Sequence, residues 1–214
     1  LEVGCGPGWL RAEAADVVAQ GLQLTLSGLS PAMVQLAGER VRSSTSIQVV
    51  DERVADVQNL PFADGSFDVV VANFMLYHAP DPPVAVQEIA RVLRPGGRLL
   101  AATNGPNNLR ELGEIAGEVL GDAAADDPTA PFGAVSSVDI LRAHFGGVEW
   151  RPFEDTLYCT DADDLLAYIT SHPPGESASP AQIQALRQAI QQRLDDGNGT
   201  LAVSKETGAF VASR

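Results

Sequence analysis

Residues 2–8, Glu2-Val3-Gly4-Cys5-Gly6-Pro7-Gly8, are the stretch whose types and spacing most directly suggest ligand chemistry. Glycines at 4, 6 and 8 let the backbone turn sharply and approach a bound molecule, and the helix expected from Trp9 offers free N–H groups. This is not the dinucleotide fingerprint G-x-G-x-x-G, because Trp9 stands where that pattern needs its third glycine. An acid just ahead of the glycines, Glu2, suits a ligand with a cationic amino-acid end better than one with a pyrophosphate. The plainer alternative is a strand-to-helix turn that holds nothing. His78 is the best candidate base, since it lies in Tyr77-His78-Ala79-Pro80-Asp81 at the carboxyl end of an expected fourth strand, where such sheets place ligands. Tyr77 is suited to positioning or polarising an acceptor. A loop histidine that packs or caps the helix at Asp81 is the competing role for His78. Asp56, on residue chemistry alone, reads as a solvated or turn-capping loop acid.

The remaining reactive types suggest less. Cys5 reads as a small side chain at a tight turn, and His144 and His172 as structural. Trp9, Trp150 and Phe153 read as core or pocket wall. No His, Cys and acid cluster has metal-ligand spacing, so no metal is expected.

These residues need a scaffold, and the sequence supplies one by alternating short apolar runs with helical stretches, the pattern of a parallel α/β sheet. Strands are expected at Leu1–Val3, Leu22–Ser27, Ile47–Val50, Phe67–Ala72 and Arg98–Thr103. Helices are expected at Trp9–Gln20, from Ser30-Pro31 to about Arg42, and from Asp81-Pro82 with Val84, Ala85, Ile89, Val92 and Leu93 inward. Arg94-Pro95-Gly96-Gly97 reads as a turn. Beyond residue 104 the expected elements are a helix over Asn107–Leu120, an acidic loop over Gly121–Thr129 and a short helix over Val138–Phe145. One or two strands follow in Val148–Thr160, then a helix over Asp163–Ser171 and a loop over Pro173–Ser179. The helix over Pro180–Asp195 is expected to pack on its own domain, and two short strands, Leu201–Val203 and Ala209–Ala212, end the chain.

The 214 residues carry 14 Lys+Arg against 28 Asp+Glu, a net charge of −14. Such a chain is repelled by phosphate backbones and anionic lipid, which argues against nucleic-acid and membrane partners. Cys5 and Cys159 form no disulfide framework, and reduced, cytoplasmic thiols are expected. The first residue is Leu1, already inside a strand, so the chain reads as a piece whose beginning lies upstream.

LEVGCGPG resembles the first motif of class I S-adenosylmethionine-dependent methyltransferases, and LSPAMVQLAGERV is similar to their second strand–helix junction. ADVQNLPFADGSFDVVVANFMLYHAPDPPVAVQEIARVLRPGGRLLAATN resembles the third to fifth strands of the small-molecule branch that includes the ubiquinone/menaquinone methyltransferases. The resemblance covers Leu1 to about Asn104. It implies a doubly wound, mostly parallel, seven-stranded Rossmann-like sheet with an antiparallel last strand, lacking the family's leading helices. Residues 1–104 would be the cofactor-binding half of one domain, and residues 105–214 the substrate-side half with a helical insertion and the last strands.

The resemblance also implies S-adenosylmethionine as cofactor and a small-molecule methyl acceptor. Glu2, Gly4, Cys5, Gly6 and Gly8 would line the methionine end, with Asp56 and Val57 at the adenine. Asn73, Phe74 and Leu76 would flank the sulfonium. Where the family usually carries a ribose-binding acid, this chain has Gly28, followed by Leu29; a water, Ser27 or Ser30 would have to substitute. That departure keeps a non-catalytic binding protein as the alternative. A nicotinamide-dependent oxidoreductase is disfavoured by Trp9 and by the lack of an acid closing the second strand. The acceptor, its reacting atom and the oligomeric state are not legible.

Overall fold

Five parallel strands, connected through helices or loops, account for the first half of the chain. The computed structural model describes residues 1–214 except 15, 19–20, 45–46 and 122–129. In chain order the strands and helices begin with β1 (Glu2–Val3), α1 (Trp9–Glu13), β2 (Gln23–Gly28), α2 (Pro31–Ser44), β3 (Gln48–Val54) and β4 (Phe67–Asn73). A 3-10 turn (Leu76–His78), α3 (Pro82–Val92), β5 (Leu93–Asn104), α4 (Arg110–Leu120) and α5 (Ser137–Arg142) follow. The chain ends with β6 (Gly147–Cys159), α6 (Ala162–Ile169), α7 (Pro180–Asp196) and β7 (Leu201–Ser213). The sheet order is β3-β2-β1-β4-β5-β7-β6, and β1 to β5 are parallel. β7 runs antiparallel to β5, since the Gly96 N–H donates to Arg214 O while the Gly105 N–H donates to Glu206 O. The strand order reverses direction at β1, so a crevice opens at the carboxyl ends of β1 and β4.

The described residues form two compact units. The first comprises Leu1–Thr103, Pro131–Arg151 and Ala209–Arg214. Its strands are apolar because they are covered; Val70 and Ala72 of β4 are fully buried, together with Leu99 and Ala101 of β5. α3 begins where Asp81 caps the Val84 N–H (3.2 Å) ahead of two prolines, and it buries Ala85, Val86, Ile89 and Ala90. Val84, expected inward, is exposed, and Val86 takes the inner position. The second unit comprises Asn104–Ala130 and Pro152–Gly208. Leu112 and Ile115 of α4, Leu165 and Leu166 of α6, and Leu186 and Ile190 of α7 share its core with Val203. α7 therefore packs on its own unit, and it opens with a capping box between Ser179 and Gln182. The units divide the chain differently from a cut at residue 104, because residues 131–151 and 209–214 return to the first.

Several elements differ from the sequence expectation for identifiable reasons. α1 stops at Glu13, because it buries no residue, and Val17, which stands at helical spacing from Leu10 and Ala14, is 85% exposed; positions 15 and 19–20 of the expected helix lie outside the described residues. β3 continues through the charged Asp51-Glu52-Arg53 to Val54, as a strand on the sheet edge can. The turn expected at Arg94–Gly97 is a bulge inside β5, with partners stepping from Phe67↔Leu93 to Val69↔Arg98. β6 is one long strand, and the two short last strands are one, β7. β7 passes through polar residues because Ser204 is held by the Glu111 carboxylate, at 2.8 Å to its N–H and 2.7 Å to its hydroxyl. The acidic loop placed at Gly121–Thr129 lies, apart from Gly121, outside the described residues.

Candidate active site

β1 lies between β2 and β4 and feeds the glycine loop. The Cys5 N–H donates to Ser27 O at 2.9 Å, and the Gly8 N–H closes the turn on Cys5 O at 3.1 Å. Two glycines are required by space. A Cβ on Gly4 (φ +60) would lie 2.8 Å from the Met75 side chain, and one on Gly8 (φ +81) 2.8 Å from the Ala37 backbone. Arg40 clamps the loop to α2 by donating to Pro7 O, and its guanidinium lies 3.9 Å over the Trp9 ring. Trp9 is thus an exposed stacking partner and not core, and Phe153 is exposed as well; Trp150 packs on Phe210.

Glu2 is 2% exposed and accepts a 2.6 Å ion-paired hydrogen bond from Arg11 Nε. Burial pushes its carboxyl up from the ordinary range, against the opposing pull of Arg11. Burial, then the charge of Glu2, pushes the Cys5 thiol up to about 11, so Cys5 is no nucleophile at neutral pH.

At the carboxyl ends of the parallel strands lies a cavity of about 250 Å³. Of the residues singled out in the sequence, Gly4, Gly28, Leu29, Asp56, Val57 and His78 line it together. They come from the last residue of β2 and from the loops after β1, β2, β3 and β4. Its volume is just below the usual small-molecule range of about 300–1,000 Å³, enough for part of a cofactor. Glu2, Cys5, Gly6, Gly8, Asn73, Phe74, Leu76 and Tyr77 are not among its lining residues. Leu76 is in the core at 1% exposure, and Tyr77 packs its ring 4.5 Å from that of His78. Phe74 (φ 51) ends β4 in the left-handed region, with its N–H on Ala102 O at 3.0 Å. Ser27, named above as a substitute for the ribose-binding acid, lines the cavity, and so does Met75, which was not foreseen. Met75 has no chemical signature beyond its place two residues after β4, whereas the Ser27 hydroxyl donates inward to Glu2 O at 3.2 Å.

Asp56 does what its residue type alone suggested and also faces the cavity. Its Oδ1 accepts the Gln58 N–H at 2.9 Å, which leaves Oδ2 for a ligand. The loop that carries it is pinned from α3. Arg91 donates to Leu60 O (2.9 Å), Phe62 O (2.8 Å), Asp64 (2.7 Å) and Glu88, and the Glu88 carboxylate accepts the Leu60 N–H (2.9 Å). Hydrogen bonds from Arg91 hold the Glu88 carboxyl below its usual range. At Gly28 a built Cβ would meet nothing closer than 3.7 Å, so the missing acid is not excluded by space.

A family described as "Methyltransferase domain" matches residues 1–101. Residues 1–101 are thus similar to a methyltransferase domain. The ubiquinone biosynthesis O-methyltransferase of Xanthomonas oryzae pv. oryzae is 40% identical over 104 residues, which are 48% of this chain and 41% of that protein. The 2-phytyl-1,4-naphtoquinone methyltransferase of Synechococcus elongatus is 36% identical over 98 residues, 46% of this chain and 42% of that protein. The matched part is about two fifths of the length of these relatives. The crystal structure of a putative methyltransferase from Bacillus halodurans shares the fold at a TM-score of 0.67 and 18% identity, covering 99% of this chain and 90% of that one. The residues matched by that family contain the whole lining of the cavity. Among the described residues no helix is long and apolar enough to cross a membrane, and no three His, Cys, Asp or Glu side chains are grouped to hold a metal ion.

Proposed function

We propose that the protein transfers a methyl group from S-adenosylmethionine to an oxygen, nitrogen or carbon of a small organic molecule. The observation that carries this reading is the convergence of Gly4, Gly28, Asp56 and His78 on one cavity at the point where strand order reverses. The adenosine end of the cofactor fits these residues. Asp56 Oδ2 accepts from the adenine amino group, the Val57 N–H donates to a ring nitrogen, and exposed Leu29 covers a ring face. The ribose end has no carboxylate at Gly28, and the Ser30 hydroxyl is engaged in capping the Met33 N–H at 3.4 Å. When bound, the cofactor supplies an electrophilic methyl on a cationic sulfur. The protein aligns the acceptor, and His78 takes the proton from an acceptor O–H or N–H.

The curated relatives carry quinone compounds in their names, but the shared residues lie in the cofactor half. The acceptor class therefore remains a small molecule. A charge of −14 argues against nucleic acid in that role, and two free cysteines suit the cytosol. A non-catalytic binding protein is the second reading, favoured by Gly28 and by the engagement of Glu2 with Arg11. Calorimetric titration separates the readings. Saturable heat with S-adenosylmethionine and none with NADH is expected, and the reverse result overturns the proposal. Binding of S-adenosylhomocysteine without turnover of any acceptor would favour the second reading.

A further inference from the structure

We propose that the second unit has a small-molecule site of its own, a cleft formed by α4, α6, β7 and the end of β6, that takes an amphipathic anion: an apolar, ring-sized body bearing one carboxylate. The cleft encloses about 660 Å³, within the usual small-molecule range of about 300–1,000 Å³. Every residue that lines it belongs to the second unit. Leu112 and Leu165 line it from the core of that unit. Leu157, Tyr158 and Tyr168 line it as well, yet they are 41%, 73% and 45% exposed. Three large side chains left open around one cleft present an apolar surface of the kind that marks a binding site.

Lys205 supplies the charge. It is the chain's one lysine, half-buried on β7, and it lines the same cleft. The chain has 28 acids for 14 Lys+Arg, yet Lys205 pairs with no described carboxylate, and every ion pair among the described residues is made by an arginine. A half-buried ammonium without a counter-ion in so acidic a chain is available to a ligand anion. Its backbone is held on both sides, by Glu111 on the Ser204 N–H at 2.8 Å and by Glu206 Oε2 accepting the Asn107 N–H at 2.9 Å. One compact ammonium matches one carboxylate. A phosphate calls for the forked donors of arginine, and among the described residues no arginine lines the cleft. Asp161 and Asp164 also line it, both exposed, with Asp161 Oδ1 engaged as the cap of α6. Water screens these two acids, so their repulsion of an anion is small beside direct contact with Lys205.

The site needs no cofactor, so its test does not depend on the reading proposed above. The full chain labelled with carbon-13 lysine gives a single ε-methylene NMR signal, that of Lys205. Phenylacetate, phenylethanol and phenylethylamine share a ring on a short chain and differ in charge. Phenylacetate is expected to shift the Lys205 signal saturably, and to bind roughly fivefold or more tightly than the alcohol or the amine. Acetate, which has the charge without the ring, is expected to bind more weakly than phenylacetate. Lys205→Gln, followed through the Leu112 and Leu165 methyls, should abolish the preference for the anion, and Lys205→Arg should retain it. Equal binding of the three ring probes, tighter binding of the amine, acetate as tight as phenylacetate, or a preference unchanged in Lys205→Gln would each overturn the proposal. The unsubstituted protein provides a second measure. Nuclear Overhauser contacts from the phenylacetate ring to the Leu112 and Leu165 methyls are expected, and their absence at saturation is equally fatal.

Discussion

The loops after β1 and β3 reach the same cavity by opposite constructions. The glycine loop is positioned by backbone and packing, with Gly8 pressed on Ala37, Pro7 held by Arg40, and Cys5 bonded to Ser27. Its one acid, Glu2, turns away to Arg11. The Asp56 loop is positioned by side chains, with Arg91 and Glu88 gripping residues 60–64 and Gln58 Oε1 accepting the Asp81 N–H at 2.7 Å. It presents a carboxylate to the cavity. The contrast separates two tasks. The first loop supplies shape, which tolerates no added volume, and the second supplies a charged acceptor, which depends on a network that can be cut one bond at a time.

Substitutions that break each construction should differ in size. Gly8→Ala faces both a left-handed backbone and the α2 backbone, and should cost about 3 kcal/mol in urea unfolding. Arg91→Ala removes bonds to two carbonyls and two carboxylates, and should cost about 2 kcal/mol, with faster hydrogen exchange at Leu60. Gly28→Asp adds a Cβ that meets nothing closer than 3.7 Å and should tighten S-adenosylmethionine binding about tenfold in calorimetry.

Glu2→Gln should have the smallest effect, read as a pH slope. Burial holds this carboxyl above its unfolded value of 4.5, so the folded chain binds the proton more tightly. The stability it contributes is full below pH 4.5 and is lost as pH rises through the raised value. The variant should therefore gain on the unsubstituted protein as pH rises from about 4 to 7 in urea titrations, while the introduced amide oxygen still accepts from Arg11. A gap that narrows over that range would show that the Arg11 pair outweighs burial.

The sequence revealed the first half of this fold because covered parallel strands such as Phe67–Asn73 are apolar throughout and their helices open with clear caps, Ser30-Pro31 and Asp81-Pro82. It was silent where polarity disguised regular structure. Asp51-Glu52-Arg53 hides an edge strand, and Ser204-Lys205-Glu206 hides the middle of β7, whose partner Glu111 lies 93 positions away from Ser204. Val17 misled in the other direction, with helical spacing and no core to face. At the site, glycines and Asp56 carry local signatures of their geometry. The diversion of Glu2 to Arg11 and the position of Met75 over Gly4 depend on three-dimensional packing and have no such signature.

The central claim is that Asp56 Oδ2 reads the cofactor's adenosine end. Asp56→Asn retains the oxygen that accepts the Gln58 N–H and replaces the other with an amine. Calorimetric titration with S-adenosylmethionine should show binding weakened at least about tenfold, with an unchanged urea midpoint. Affinity equal to that of the unsubstituted protein would contradict the account.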